Sequence, residues 1–219
     1  MVTPARRPDG PFRVALTFDV EHPEGATSVD ATERILDTLG ETGIAATMFV
    51  QGRWARAWPA TARRIAEAGH LVGHHSHHHA RFAYLTRAGI RHDLAAGEAV
   101  IRETTGVNPR PWFRLPFGSG AGMRSVHAAL HASGYRHVGW DVDPRDWASG
   151  PPAGVRDLVV RGATGHGDGV VILLHGWPLR TAETLPGLVR ELCDRGASFV
   201  RLDSLADYAG WAREATGRR

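Results

Sequence analysis

A cluster of imidazoles, HHSHHH over residues 74–79, directly follows a short apolar segment. His75 and His79 are four residues apart, so both rings project to one side if the chain turns helical after a strand. Two imidazoles plus a carboxylate, with one position open to water, are the usual ligands of a catalytic zinc ion. The pattern therefore predicts a hydrolytic metal site. A solvated or adventitious polyhistidine tract is the alternative, and the preceding apolar strand disfavours it.

The carboxylate is expected from the segment LTFDVE at residues 16–21. Because side chains alternate along a strand, Asp19 and Glu21 should share one face while Phe18 and Val20 take the other. One of the two acids would bind the metal and the other would serve as a base. A pair of surface acids at the start of a loop is the alternative interpretation.

Two further apolar segments end in polar groups. Arg114 precedes the Pro/Gly turn of RLPFG, and its guanidinium would hold Asp19 ionised and fixed in direction. His175 ends the apolar run VVILL, where a neighbouring carboxylate, such as Asp143 or Asp146, would raise its pKa and keep it protonated as an acid. A surface arginine and a satisfied core histidine are the alternatives.

The elements that must position these residues alternate between β-rich apolar runs and helical patterns. Helices are expected to begin near Ser28, Pro59 and Thr86. About seven βα units indicate one domain over residues 1–219, an α/β fold built as a distorted (β/α)7 barrel. In such barrels the chemistry lies at the carboxyl ends of the strands, where the polar groups fall. The strands are predicted at 13–18, 44–50, 70–75, 111–116, 136–142, 170–175 and 198–202.

Composition argues against several functional classes. The 26 basic residues are all arginine and form no cluster interleaved with aromatic residues, so no nucleic-acid binding is expected. No stretch approaches the ~20 apolar residues needed to cross a bilayer, so no membrane partner is expected. The N-terminal segment lacks the apolar core of an export signal, which predicts a cytoplasmic protein. The single cysteine, Cys193, is expected to be buried on a helix.

Five segments, in chain order, resemble the motifs of the polysaccharide-deacetylase superfamily, which comprises the NodB-homology domains and carbohydrate esterase family 4. LTFDVE resembles the first motif, and His75-Ser76-x-x-His79 resembles the His-Ser-x-x-His motif. RLPFG resembles the Arg-x-Pro-x-Gly motif, DPRDW the Asp-x-x-Asp-Trp motif and LLH the Leu-x-His motif. The resemblance covers about residues 13–177, and five ordered motifs are far more specific than any one of them.

The resemblance implies a metal-dependent hydrolysis and gives its central residues. Asp19 would be the general base, and Arg114 would orient its carboxylate. His75 and His79 would bind a divalent metal, expected to be Zn²⁺, with Co²⁺ or Ni²⁺ as alternatives.

The resemblance also implies an acid and a substrate pocket. His175 would be the general acid, and Asp143 would tune it. Phe117 would offer its backbone N–H to the oxyanion, while Trp147 and Leu173 would line the pocket for the acyl methyl group.

The first motif departs from the usual pattern of the family. Most members have two adjacent aspartates, of which the second binds the metal, but here Val20 occupies that place and cannot bind a metal. Glu21 lies two residues after Asp19 and fits the strand alternation, so it is predicted to complete the metal site. His22 is the alternative ligand.

These implications predict hydrolytic de-N-acetylation of an N-acetylated amino sugar, an oligosaccharide or a sugar-containing small molecule. A second hypothesis keeps the metal site but changes the substrate to a non-sugar amide or a cyclic imide. A third is a non-catalytic carbohydrate-binding relic, which is disfavoured because Asp19, Arg114 and His175 are all present. The expected partner is a small-molecule or oligosaccharide substrate, and the oligomeric state stays open.

Overall fold

The computed structural model describes residues 11–21, 28–148 and 150–205. The strands are β1 (Phe12–Val20), β2 (Thr47–Val50), β3 (Leu71–His74), β4 (Trp112–Phe113), β5 (Arg136–His137), β6 (Val170–His175) and β7 (Ala197–Phe199). The α-helices are α1 (Asp30–Thr42), α2 (Gly52–Ala57), α3 (Pro59–Glu67), α4 (Arg87–Thr105), α5 (Arg124–Ala132), α6 (Pro152–His166) and α7 (Leu179–Asp194). Short 3-10 turns lie at Phe82–Tyr84, Pro116–Gly118 and Leu202–Ser204.

All of these strands pair in parallel in one curved sheet. Its order is β5-β4-β3-β2-β1-β6, and β7 pairs with the beginning of β1. Beyond β5, Val142 bridges Ile172 of β6, so the two ends of the sheet approach each other. Parallel strands need crossover connections, and helices supply most of them here. The predicted α/β fold with a distorted barrel is therefore confirmed.

Side chains of β1 alternate between two layers, as its sequence predicts. Phe18 and Val20 lie in the main core with side chains from the helices. Ala15 lies instead in a smaller core with Phe49. Asp19 shares the face of Ala15, because residues two apart in a strand point the same way. Val20 therefore faces away from the site that Asp19 enters.

The strands predicted at 111–116 and 136–142 are each only two residues long in the structure. Pro111 and Pro116 flank the first of these segments, and proline cannot donate to a strand ladder. In the second, the chain leaves β5 after His137 and reaches β6 at Val142, so it does not continue beside β4. The strand pairing in the sheet is consequently shortest at β4 and β5.

The predicted starts of three helices are confirmed, and one further helix was not predicted. Thr86 caps α4 by accepting a hydrogen bond from the Gly89 N–H at 3.1 Å, and α1 and α3 begin at Asp30 and Pro59. The short helix α2, directly after β2, was not predicted. Cys193 lies on α7 but is exposed, so its expected burial is wrong.

In the described ranges, none of the helices combines the length and the apolar character that a membrane span requires. The expectation of a cytoplasmic location stays a prediction.

The close approach of α4 to β3 generates a first prediction. His74 ends β3 and is fully buried, and a Cβ placed on Gly97 would lie 2.1 Å from its Nε2. Because neither the buried ring nor the helix backbone has room to move, Gly97→Ala should lower the free energy of unfolding by about 1–3 kcal/mol. Urea unfolding measures this change.

Gly40→Ala in α1 is the matched control. Apart from its chain neighbours and the backbone of its own helix, no atom lies within 4 Å of a Cβ at that position. The same substitution should therefore raise the free energy of unfolding by roughly 0.5–1 kcal/mol, through better helix propensity. Equal effects of the two substitutions would contradict the tight contact between α4 and β3.

Candidate active site

The carboxyl ends of the strands surround one cavity of about 680 Å³. Every site residue predicted from the sequence lines it except Arg114, which lies behind Asp19. The lining residues are Asp19, Glu21, His75, His79, Arg81, Leu115, Phe117, Trp140, Asp143, Trp147, Leu173, His175 and Trp177.

Three side chains form a candidate metal centre. Glu21, His75 and His79 each offer one ligand atom, and these atoms lie within 4.8 Å of one another. The Nε2 atom of His75 is 3.1 Å from Glu21 Oε2, and the Nε2 atom of His79 contacts the same oxygen. Two imidazoles and one carboxylate are a donor set that suits Zn²⁺, so the residues fit the metal that the sequence predicts. His22, the alternative ligand, lies outside the described residues.

The ring of His75 is fixed in the tautomer that a metal ligand needs. Its Nδ1 donates a hydrogen bond to the Arg114 carbonyl oxygen at 2.9 Å. Since a carbonyl oxygen only accepts, this bond keeps a proton on Nδ1, so Nε2 is the ring atom that faces Glu21 and would bind a metal. Both Glu21 and His75 are buried.

The two imidazoles converge through a tight loop and not through the helical turn that their spacing suggested. Ser76 and His79 both have positive φ, and the Ser76 hydroxyl accepts from the His79 N–H at 2.7 Å. The buried carboxylate of Asp93 accepts the N–H groups of His77 and His78 at 2.9 and 3.0 Å. The His75 and His79 rings come to lie 5.0 Å apart, centre to centre.

Asp19 is held by a fully buried arginine, as the sequence predicts. Arg114 Nη1 donates to Asp19 Oδ1 at 3.0 Å and to the Thr17 hydroxyl at 2.8 Å. The other carboxylate oxygen of Asp19 is 3.6 Å from His75 Nε2, on the cavity side. Asp19 thus lies beside the candidate metal centre but is not one of its three candidate ligands.

Asp146, and not Asp143, pairs with His175. The Asp146 carboxylate accepts from His175 Nδ1 at 2.7 Å and from the His175 N–H at 2.8 Å. It also accepts from the Thr181 hydroxyl at 2.6 Å. Asp143 is exposed on the cavity rim and caps its own turn, accepting from the Arg145 N–H at 2.8 Å. The expectation that Asp143 tunes His175 is therefore wrong: the positive φ at Arg145 reverses the chain and turns Asp146 inward.

The neighbours of each titratable group set the direction of its pKa shift. Burial alone would raise the pKa of Glu21, but the hydrogen bonds and charges of His75 and His79 lower it well below its ordinary value. Burial alone would lower the pKa of His175, but the bond to Asp146 and its negative charge raise it to about 9. Glu21 is therefore ionised and His175 protonated near neutral pH.

An exposed aromatic ring forms one wall of the cavity. Phe117 has a positive φ of 57°, which turns its half-exposed ring toward the loop after β3. The ring contacts His79 at 4.4 Å between centres and lies under the Arg81 guanidinium at 4.1 Å. Trp147 is half-exposed at the rim, and Leu173 is almost fully buried.

Four residues of the cavity lining, Arg81, Leu115, Trp140 and Trp177, were not among the site residues predicted from the sequence. Trp177 donates its indole N–H to Glu21 Oε1 at 3.3 Å, so it holds the oxygen that the imidazoles leave free. Arg81 lines the cavity through its contact with Phe117. The only signal for either of these two was proximity, since each lies two residues after a predicted site residue.

Fold and site together define a parallel α/β barrel with a candidate metal centre, a buried acid–arginine pair and a protonated histidine at the strand ends. Residues 6–138 match the family model described as polysaccharide deacetylase. The chain belongs to the polysaccharide deacetylase family. The resemblance seen in its motifs is thereby confirmed.

Relatives in this family include deacetylases of different peptidoglycan sugars. The chain is 30% identical to a peptidoglycan-N-acetylglucosamine deacetylase of Bacillus cereus, over 90% of the chain and 70% of that protein. It is 31% identical to the peptidoglycan-N-acetylmuramic acid deacetylase PdaC of Bacillus subtilis, over 89% of the chain and 38% of that protein. Some curated relatives are thus more than twice as long as the part matched.

A solved structure with the same fold belongs to a wild-type CE4 family pseudoenzyme from Bacillus anthracis. Its sequence is 27% identical to this chain and the TM-score is 0.79. The match covers 92% of this chain and 67% of the pseudoenzyme chain. The family therefore includes members described as pseudoenzymes as well as deacetylases.

A second prediction concerns the ligand set. Glu21→Ala should lower Zn²⁺ affinity at least ~100-fold, because it removes the only carboxylate of the triad. Asp143→Asn is the control, since this carboxylate lines the same cavity outside the triad. Zinc titration calorimetry measures both. Unchanged zinc binding in Glu21→Ala would exclude Glu21 and leave His22 as the candidate.

A third prediction follows from the Asp146 contact. In the metal-free protein, the His175 pKa of about 9 should fall to or below its ordinary value of 6.5 in Asp146→Asn. Asp143→Asn should leave it unchanged. NMR titration of the His175 ring, assigned with a His175→Gln spectrum, reads the pKa directly. A fall of the His175 pKa in Asp143→Asn, with no change in Asp146→Asn, would show that His175 pairs with Asp143 instead.

The same shift sets a pH window for stability. Because the folded pKa is above the ordinary value, protonated His175 stabilises the fold fully below pH 6.5, and this contribution is lost as pH rises through about 9. Asp146→Asn should flatten that part of the stability profile.

Proposed function

We propose that the chain hydrolyses the N-acetyl group of an amino sugar within an oligosaccharide or glycan, with a divalent metal, expected to be Zn²⁺, held by Glu21, His75 and His79. The observation that carries this proposal is the convergence on one cavity of three side-chain pairings, each built on a different buried carboxylate. Glu21 faces two imidazoles, whereas Asp19 is paired with Arg114 and Asp146 with His175. The names of the relatives support a sugar as the substrate.

A divalent cation at the triad would supply polarisation of the acyl carbonyl and acidification of water. Asp19 is the proposed base. Its Oδ1 is held by Arg114, so Oδ2, on the His75 side, is the oxygen that takes the proton of the attacking water. The Phe117 N–H is the proposed donor to the oxyanion that develops on the substrate.

His175 is the proposed acid. Its Nδ1 is occupied by Asp146, so Nε2 is the atom that delivers a proton to the departing amine. The pKa of about 9 keeps this proton in place at neutral pH. Protonation of the amine prevents its return to the acyl carbon and releases the free amino sugar.

The cavity wall suits a small acyl group on a sugar ring. Leu173 and Trp147 lie in the lining and offer apolar contact for an acetyl methyl. Trp140 and Trp177 add indole rings to the lining, and aromatic faces of this kind stack on the apolar faces of sugars.

A non-catalytic relic is the competing function, because a pseudoenzyme shares this fold. Loss of any one of the groups that the reaction requires would be enough to abolish activity. Here the base, its arginine, the triad and the acid pair are all in place among the described residues, which favours catalysis.

A fourth prediction tests the proposal by acetate release. Zinc-loaded protein should release acetate from N-acetylglucosamine oligomers, and chelator should abolish the release. His175→Ala should lower kcat by ~10²–10⁴-fold, the usual contribution of a general acid, while zinc remains bound. His131→Ala, an exposed histidine on α5 outside the cavity, is the control and should retain full activity.

Two results would contradict the proposal. Hydrolysis of simple amides or cyclic imides without any action on sugars would assign the site to a non-sugar substrate. Binding of the oligomers without acetate release by the zinc-loaded protein would assign the chain to the relic class.

A further inference from the structure

Arg81 is the one arginine side chain among the residues that line the cavity. It is exposed and lies over the ring of Phe117, with Cζ 4.1 Å from the ring centre. Stacking of this kind fixes the plane of a guanidinium and leaves its N–H edge free to donate. The loop after β3 thus presents a fixed fork of donors at the cavity rim.

The carboxylates around the cavity all have other partners. Asp19 is held by Arg114, Asp146 by His175 and Glu21 by the two imidazoles. Asp143 accepts from a backbone N–H of its own turn. Within residues 11–21, 28–148 and 150–205, Arg81 has no carboxylate at ion-pair distance, in contrast to surface arginines that pair with an acid, such as Arg13 with Asp168.

The guanidinium lies close to the reacting position. Phe117 contacts both Arg81 and the candidate metal ligand His79, whose ring centre is 4.4 Å from that of Phe117. A molecule that places its acyl amide at the triad therefore has Arg81 in the same cavity lining, with one aromatic ring in contact with both Arg81 and a triad residue. A substituent on the same sugar, or on the next sugar of a chain, spans the distance from the triad to Arg81.

We propose that Arg81 binds a carboxylate carried by the substrate, and that the site prefers N-acylated amino sugars with an acidic group near the acyl amide. This inference rests on the proposed function, because it names the substrate class of the same cavity. Arginine suits the task since its planar fork matches both oxygens of a carboxylate. Two sources share this chemistry: an acidic ether on the reacting sugar, and a uronic acid next to it.

Matched probes separate these sources. The first is a disaccharide of N-acetylglucosamine and N-acetylmuramic acid, and the second is the same disaccharide with its carboxyl group amidated. The third joins N-acetylglucosamine to glucuronic acid, and the fourth is neutral diacetylchitobiose. Their dissociation constants are measured by calorimetry on metal-free protein, and their KM and kcat on zinc-loaded protein.

A fifth prediction gives the result for Arg81→Gln. Loss of a charge-assisted bidentate contact should raise the Kd and KM of at least one carboxylated probe ~10–100-fold, with little change in kcat. The amidated and neutral probes should change less than about twofold. Arg81→Lys keeps the charge and should restore part of the affinity. Arg87→Gln, an exposed arginine at the start of α4 outside the cavity, is the control and should behave as wild type.

Three outcomes overturn the inference. Equal losses for charged and neutral probes would show that Arg81 only supports Phe117. No loss for any probe would show that its guanidinium does not contact the substrate. Wild-type protein that binds neither carboxylated probe more tightly than its neutral counterpart, the amidated disaccharide or diacetylchitobiose, would also contradict it. Absence of acetate release from every probe would sink the proposed function instead, while the calorimetric comparison would still decide the role of Arg81.

Discussion

The guanidinium of Arg114 is the group on which the whole site depends. It is fully buried, and a buried charge is tolerated only when its hydrogen bonds are met. Arg114 meets that demand by donating to Asp19 and Thr17 on β1 and to the carbonyl oxygen of Gly139 at 3.0 Å, while its own carbonyl oxygen accepts from His75. One residue therefore ties the ends of β1, β3 and β4 to the segment after β5, and removal of its charge would leave the Asp19 carboxylate buried without its cation.

Much of this arrangement follows from the period of the strands. A residue at an odd position of β1 shares the face of Asp19, so the sequence alone places Glu21 in the cavity and Val20 in the core, as the structure confirms for both. The rule that chemistry lies at the carboxyl ends of parallel strands then brings His75 and His175 to the same rim. Both arguments use only local geometry and one topological rule, and neither requires knowledge of a loop.

What the sequence did not reveal depends on loops. The choice between Asp143 and Asp146 is made by a single backbone reversal at Arg145, whose positive φ has no sequence signal because arginine is not a residue typical of that region. The path of residues 74–79 is likewise set from outside the segment, by the Asp93 carboxylate on α4. The indole of Trp177 reaches Glu21 across 156 residues of chain, and no spacing rule spans that separation.

The different roles of the three buried acids at the site follow from their partners. Asp19 is bound on one oxygen by a permanent cation that cannot give up its charge, and this contact leaves its other oxygen on the cavity side. Glu21 faces two imidazoles, and a metal bound between the three groups would take the place of their direct contacts. Trp177 donates to the second oxygen of Glu21. Asp146 accepts a hydrogen bond from the His175 imidazole and so helps that ring to keep its proton. It is also the least exposed of the three acids. Identical carboxyl chemistry thus serves as base, ligand and support under the proposed function, because a guanidinium, a pair of imidazoles and a single imidazole are placed at the ends of β4, β3 and β6.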